Sequence, residues 1–406
     1  MDAPALIIGA SHAGAHLAEA LRRENWPHNI VLVGDESALP YNRPPLSKDF
    51  LKGAMDADRL PFRDPAFYAE RGILLRLGRR AVAIHRAARE VVLDDGSRLP
   101  YSGLALATGA RPRKLGVPGE ELIGVLPLRS LDDVQAIRAH LDAAANVVVV
   151  GGGFIGLECA ASLRALGKTV TVLEARERLM PRVIPAELST FFLRLHAEHG
   201  VSIECSATVR EIVGREGRAA GVVLGDGATV PADLVIVGIG VVPNTELAEA
   251  AGLDCDNGVV VDARCRTSDP AIVAAGDVAA HPNRFLGGRV RVESVQNATD
   301  QARVAAATLA GRAAIYDAVP WFWSDQYDVK LQMVGTSIGH DHAVTRGQVA
   351  AKRFSIFYFR EHTLIGIDSV NDPADHMAGR KLLAAATPVT PAQAADRDVD
   401  LRKLGN

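Results

Sequence analysis

The chain has 406 residues, of which 48% are hydrophobic, 23% charged and 5% aromatic. That composition lies outside the disordered and fibrous classes, and the length suits two or three domains. A net charge of −3 carries no polyanion-binding signature and argues against nucleic acid as a partner.

In chain order, the first apolar stretch, Ala5 to Ala10, lacks a basic leader and runs into a glycine turn, so it reads as a strand and not as a signal peptide. Leu6 to Ile8 is that strand, Gly9-Ala10-Ser11-His12-Ala13-Gly14 the turn, Ala15 to Arg23 a helix, and Ile30 to Val33 a second strand leading to Asp35. Arg89 to Leu99 alternates around Asp95-Gly96, the pattern of a hairpin. The opening scheme then repeats. Asn146 to Val150 is a β-branched strand, Gly151-Gly152-Gly153-Phe154-Ile155-Gly156 a turn, Leu157 to Leu166 a helix, and Thr169 to Leu173 a strand leading to Glu174. Ala219 to Val230 predicts a second hairpin at Asp226-Gly227. After Pro320 short aromatic segments predict an added antiparallel domain, and the Pro-, Ala- and Asp-rich stretch from Thr387 is expected to be extended or weakly ordered at its start. No apolar run of about 18 residues occurs, so no transmembrane helix is expected. The four cysteines, Cys159, Cys205, Cys255 and Cys265, are too dispersed for CxxC pairs or metal knuckles. They suit a reducing cytoplasm, and a buried small hydrophobe is expected at each.

Two βαβ units far apart predict an α/β protein with two doubly wound dinucleotide-binding domains. In such a turn the first glycine permits the bend, the second lets the backbone approach the pyrophosphate, and the third allows close helix–strand packing. The phosphates then sit on the helix N-terminus. Gly151, Gly153 and Gly156 supply all three; Gly9 and Gly14 bracket Ser11, which stands where the second glycine is expected. Asp35 and Glu174 close their strands where a carboxylate accepts from adenine-ribose hydroxyls, and at Glu174 it would repel a 2′-phosphate. NADH is therefore expected over NADPH, with Arg176, Arg178 and Arg182 nearby as offsetting charges.

Leu104-Ala105-Leu106-Ala107-Thr108-Gly109-Ala110 and Ile272-Val273-Ala274-Ala275-Gly276-Asp277 resemble two blocks of the FAD-dependent pyridine nucleotide-disulfide oxidoreductases. Taken alone, Asp277 would read as a helix N-cap. Pro40-Tyr41-Asn42-Arg43-Pro44-Pro45-Leu46-Ser47-Lys48 resembles the ferredoxin-reductase branch that serves bacterial cytochrome P450s and Rieske oxygenases. Trp321-Phe322-Trp323-Ser324-Asp325-Gln326-Tyr327 is similar to the putidaredoxin-reductase type of that branch. The resemblance implies a glutathione-reductase-like fold: an FAD domain over 1–112 and 243–316, an NAD domain over 113–242, and an α+β C-terminal domain over 317–406.

It also implies FAD contacts at Ala13, Asp35, Lys48, Val82, Arg129, Asp277 and Val295, with Arg43 and Glu158 as neighbours. Gly9, Ser11, His12, Gly14, Ala107, Thr108, Gly109 and Gly276 complete that site. Lys48 is expected beside the isoalloxazine, where a cation stabilises the charge gained on reduction, and Lys48 and Glu158 form the implied catalytic pair. The NAD site is expected at Gly151, Gly153, Phe154, Ile155, Gly156 and Glu174, with Gly238, Ile239, Gly240 and Glu293 near the nicotinamide. Because no cysteine precedes Cys159, a thiol relay beside the flavin is not expected, and electrons must leave for an external acceptor. The implied partner is a small acidic [2Fe-2S] ferredoxin. Arg303 and Trp323 match partner-facing positions; Lys330, Arg380 and Lys381 are further docking candidates. Two other readings fit the same cofactor domains: an NADH dehydrogenase acting on quinone or rubredoxin, and an NADH-sensing flavoprotein of the apoptosis-inducing-factor type.

Overall fold

The computed structural model describes residues 3–404. The chain forms two compact units. The first comprises 1–42, 60–111 and 243–322, and the second 43–59, 112–242 and 323–406, counted over the whole chain.

In the first unit five parallel strands lie in the order Ile272–Ala274, Gly103–Leu106, Ala5–Ile8, Ile30–Gly34, Ile73–Leu77. Alternation along the first strand explains why it is apolar at every position. Ala5 and Ile7 pack with Leu17 and Leu21 of the helix His12–Arg23, while Leu6 and Ile8 pack on the opposite side with Val91 and Val259. A parallel strand covered on both faces has no polar side to display. The predicted hairpin is present as Glu90–Leu93 and Arg98–Pro100, paired antiparallel.

The second unit repeats the plan. Its parallel strands run Ser202–Cys205, Thr169–Glu174, Asn146–Val150, Leu234–Val237, Val125–Pro127. Val148 and Val150 pack against Ile212, Val222 and Leu224 of the meander holding the second predicted hairpin, Arg218–Leu224 with Thr229–Pro231. A five-stranded sheet from 321–370 follows, its ladders Val329–Gly335, Thr363–Val370, Arg353–Arg360 and His342–Gln348 antiparallel. The helix Pro373–Ala384 comes next, giving the expected α+β ending.

Two local expectations are corrected and one is met. Both nucleotide-fold helices begin three residues early, at His12 and Phe154 and not at Ala15 and Leu157. The ends of the glycine turns are themselves the first helical turns. The stretch from Thr387 is extended at its start, as expected, over its first four residues. There a capping box of Thr390 and Gln393 starts the short helix Pro391–Ala395, and the buried Arg346 donates to the carbonyls of Asp396 and Val399. Among the cysteines, Cys159 and Cys265 are buried, but Cys205 and Cys255 are half-buried. Burial pushes the thiols of Cys159 and Cys265 well up, which keeps them protonated. Among the described residues no helix is long and apolar enough to cross a membrane.

Candidate functional site

In the first unit Gly9 has φ +111°, and a Cβ there would lie 2.0 Å from the Ala107 carbonyl oxygen. A Cβ at Gly14 would lie 1.8 Å from the Gly9 oxygen. The second unit has the same lock: Gly151 at φ +114° sits against the Gly238 oxygen, and Gly156 against the Gly151 oxygen, at 2.4 and 2.1 Å from the added Cβ positions. In both, strand, turn and helix approach too closely for any side chain. The middle position differs. Nothing lies within 4 Å of a Cβ on Gly153, so its counterpart Ser11 carries a side chain at no steric cost.

The first intrahelical bonds run from Ala15 N to Ser11 O and from Leu157 N to Gly153 O. The amides before them have no carbonyl one turn back within the helix, and the dipole there favours an anion. Each unit thus presents a cradle that fits the pyrophosphate of a dinucleotide.

Of the expected residues around the first turn, His12 and Ala13 are buried in the opening helical turn. Ala107 N donates to Ile8 O. Thr108 and Gly109 are tied to Asn244 by three bonds: Thr108 Oγ1 to the Asn244 carbonyl, Asn244 Nδ2 to the Thr108 carbonyl, and Asn244 N to the Gly109 carbonyl. Gly276, at φ +82°, brings its loop against Ala13, where an added Cβ would fall 2.9 Å from the alanine methyl. Asp277 follows that loop half-buried, and Arg291 donates to its carbonyl. Asp35 stands exposed beyond its strand, 3.6 Å from Arg80. Val82 is 52% exposed on the strand Ala81–His85. Val295 opens the helix Val295–Leu309, and Glu293 two residues earlier pairs with Arg291 at 2.7 Å.

In the second unit Glu174 closes its strand and turns back on the glycine turn. Its carboxylate accepts from Gly152 N at 2.7 Å and from Arg176 N at 2.8 Å. Phe154 is half-buried at the helix start and Ile155 is 45% exposed. Gly238, Ile239 and Gly240 follow the strand Leu234–Val237 at the same sheet edge, with Gly240 at φ +98°.

The same unit holds Arg43, Arg129, Lys48 and Glu158. Arg43 donates to the Arg129 carbonyl at 2.7 Å. Lys48 follows the short 3-10 turn Pro44–Ser47 and is not on a helix. Its Nζ lies 2.6 Å from Oε2 of Glu158, whose side chain is 2% exposed. Ser47 donates to the same Oε2 at 2.6 Å, and Ser324 to Oε1 at 2.7 Å, with Asp325 N at 3.3 Å. Glu158 is therefore a buried carboxylate saturated by donors, and it fixes the ammonium group of Lys48.

Sequence reasoning missed Ser47, Ser324, Gln326 and Asn244, as well as Gln301, whose Oε1 holds Gly276 N at 2.8 Å. One signal was available: Ser324 and Gln326 are polar residues two apart on a strand whose other side chains are largely aromatic.

Two family models match the chain. One, pyridine nucleotide-disulphide oxidoreductase, matches residues 4–302, and the other, reductase C-terminal, matches residues 321–405. The chain is 48% identical over 397 residues to rhodocoxin reductase of Rhodococcus erythropolis, covering 98% of this chain and 93% of that one. It is 46% identical over 400 residues to the ferredoxin–NAD(+) reductase component of the anthranilate 1,2-dioxygenase system of Burkholderia cepacia, covering 98% of each. Among solved structures it resembles the ferredoxin reductase for the CYP199A2 system from Rhodopseudomonas palustris, with a TM-score of 0.97, 48% identity and 100% of each chain covered.

Proposed function

Because the chain belongs to the pyridine nucleotide-disulphide oxidoreductase family and ends in its reductase C-terminal domain, we propose that it carries electrons from NADH to a small [2Fe-2S] ferredoxin of a P450 or Rieske oxygenase system. It is an FAD-dependent ferredoxin reductase. The observation that carries this reading is the likeness to ferredoxin reductases over the full length, C-terminal domain included.

FAD, when bound, supplies the chemistry that accepts two electrons from NADH as a hydride and releases them one at a time. The chain's own residues bind, orient and set charge. We assign the pyrophosphate of FAD to the helix start at His12–Gly14, its ribose to Asp35 and its ribityl side to Asp277. We assign NADH to the helix start at Phe154–Gly156, with its adenine ribose on Glu174 and its nicotinamide end toward Gly238–Gly240. Lys48, fixed by Glu158, is assigned the role of stabilising the negative charge gained at the flavin. Because no cysteine precedes Cys159, this reading has no thiol relay beside the flavin, and electrons leave directly for the external acceptor. The four unpaired thiols agree with a reducing, cytoplasmic setting.

The test is NADH-driven reduction of purified ferredoxins, rubredoxins and a quinone by the FAD-loaded protein. Ferredoxin reduced far faster than the others supports the reading. Turnover with rubredoxin or quinone alone overturns it, and slow reduction of all three would favour an NADH-sensing role.

A further inference from the structure

Beyond the Lys48–Glu158 pair, a line of polar side chains, buried up to the half-buried Tyr327 at its outer end, leads through the second unit. Gln326 Nε2 lies 3.1 Å from Ser324 Oγ, His196 Nε2 lies 2.9 Å from Gln326 Oε1, and the Tyr327 hydroxyl lies 3.1 Å from His196 Nδ1. Ser324 and Gln326 are each 1% exposed and His196 is 0% exposed. Burying so many polar groups is costly unless each is paired, so their pairing constrains every proton.

The proton positions follow from the carboxylate outward. Glu158 only accepts here, so the Ser324 hydroxyl must donate to it. The Ser324 oxygen then receives an N–H, which fixes the Gln326 amide with its nitrogen toward Ser324 and its oxygen toward His196. That oxygen accepts, so His196 carries its proton on Nε2, and its Nδ1 accepts from Tyr327. Burial pushes His196 down to about 4, which agrees with the neutral ring this order demands. All four donors therefore point one way, toward Glu158. Ser324 and Gln326 stand on the same face of the strand Trp321–Gln326, two residues apart, while Trp323 and Asp325 alternate with them.

We propose that Ser324 and Gln326 are positioning residues for the Lys48–Glu158 pair, the last links of a one-way donor chain running from Tyr327 through His196. The positive ends of its dipoles converge on Oε1, partly offset the negative field of Glu158, and leave Oε2 to Ser47 and Lys48. Without the chain, Glu158 presents more negative charge beside Lys48, and the ammonium is drawn more completely into the pair. The effect on the flavin rests on the proposed placement of Lys48; the proton order does not.

The experiment uses the FAD-loaded full chain and compares the midpoint potential of the flavin, by equilibration with a reference dye, in Lys48→Met, Ser324→Ala, Gln326→Met and Ser324→Thr. Lys48→Met is expected to make reduction harder. Ser324→Ala and Gln326→Met should shift the reduced-to-oxidised ratio the same way, by roughly two- to fivefold, the scale of an oriented dipole acting on a nearby charge. Ser324→Thr keeps the hydroxyl and should match the unmodified protein. A second readout, independent of the flavin, is the 15N spectrum of His196 in the apo-protein, expected to show a neutral ring protonated on Nε2. If Lys48→Met shifts the potential while Ser324→Ala and Gln326→Met do not, the proposal is overturned and the placement of Lys48 stands. If Lys48→Met has no effect, that placement fails and takes the flavin role of the chain with it. A His196 ring protonated on Nδ1 overturns the donor order whatever the flavin does.

Discussion

The carboxylate of Glu174 accepts the amide of Gly152 at 2.7 Å, so the acid assigned to the adenine ribose also braces the glycine turn assigned to the phosphates. Glu174→Ala removes a ribose acceptor, a repulsive charge and that brace together. Losing a hydrogen bond to an ionised group costs roughly 1.5 to 3 kcal/mol, so kcat/KM for NADH should fall about 10- to 150-fold, and the NADPH-to-NADH ratio should rise. Glu174→Gln keeps an oxygen for Gly152 N and should lose less. Steady-state kinetics with both nucleotides decide the matter; an unchanged ratio in Glu174→Ala removes the role given to this residue.

Asp277 stands after the Gly276 loop that packs on Ala13, in the unit assigned to FAD. Asp277→Ala is expected to purify with less flavin, read as a lower ratio of absorbance at the flavin band to that of the protein, with its circular dichroism unchanged. A fully loaded and equally active variant would count against the assignment.

Arg303 is exposed but pairs with Asp300 at 2.8 Å, three residues before it, so part of its charge is already answered. On the helix Pro373–Ala384, Met377 is 62% exposed, and Arg380 and Lys381, three and four residues on, are exposed on the same helical face. An apolar centre beside two cations suits an acidic ferredoxin. Arg303→Glu and Lys381→Glu should each slow ferredoxin reduction at low salt and spare NADH-to-ferricyanide turnover. The deficit should shrink with added salt, because the Debye length falls from about 10 Å at 0.1 M to about 3 Å at 1 M. Equal loss of both activities, or no salt dependence in the unmodified protein, would rule these positions out as docking residues.

Asp368 is buried in the C-terminal sheet, and the Tyr358 hydroxyl donates to it at 2.8 Å. Burial pushes its carboxyl up to about 7, against a smaller downward pull from that hydrogen bond. Its folded value lies above the unfolded one, near 3.9, so between those values the folded chain holds a proton that the unfolded chain releases. The stabilising contribution is complete below about pH 4 and is lost as pH rises through about 7, with a magnitude on the order of a few kcal/mol. Asp368→Asn removes this dependence. Its melting temperature relative to the unmodified protein should rise between pH 5 and pH 8; a constant difference would refute the argument.

Arg346 pairs with Asp375 and donates to carbonyls of the tail. Arg346→Met leaves a buried carboxylate and several carbonyls without their cation, a loss of about 3 to 5 kcal/mol by analogy with broken buried pairs. Limited proteolysis should then cut after Thr387 much faster, and unchanged cleavage would show that the tail is held by other contacts.

The doubly wound folds were legible because parallel strands covered on both faces read as unbroken β-branched runs, as at Asn146–Val150, and because Gly9, Gly14, Gly151 and Gly156 have no sterically allowed replacement. The helix starts were misread because a glycine-rich first turn has the composition of a loop while its geometry is already helical. The surroundings of Glu158 were out of reach. Lys48 is 110 residues from it and Ser324 is 166, and no local periodicity encodes a meeting at that separation. Cys205, at a strand end, and Cys255, in an isolated bridge, escaped burial for a related reason: solvent exposure is decided by which elements cover such a position, and composition does not report that.

The sheet of the first unit also dictates an order of events during synthesis. Its edge strand Ile272–Ala274 pairs with Gly103–Leu106, and all five parallel strands of the second nucleotide fold lie between those two segments in the chain. As the polypeptide emerges from the ribosome, the second nucleotide fold has every strand of its parallel sheet while the first unit still lacks its fifth strand and the loop carrying Asp277. The later closure is the more expensive in chain entropy. If Asp277 holds flavin as proposed, capture of the cofactor comes only after the parallel sheet of the second nucleotide fold is complete in the chain, and the unfinished first sheet until then is a state suited to recognition by chaperones and proteases.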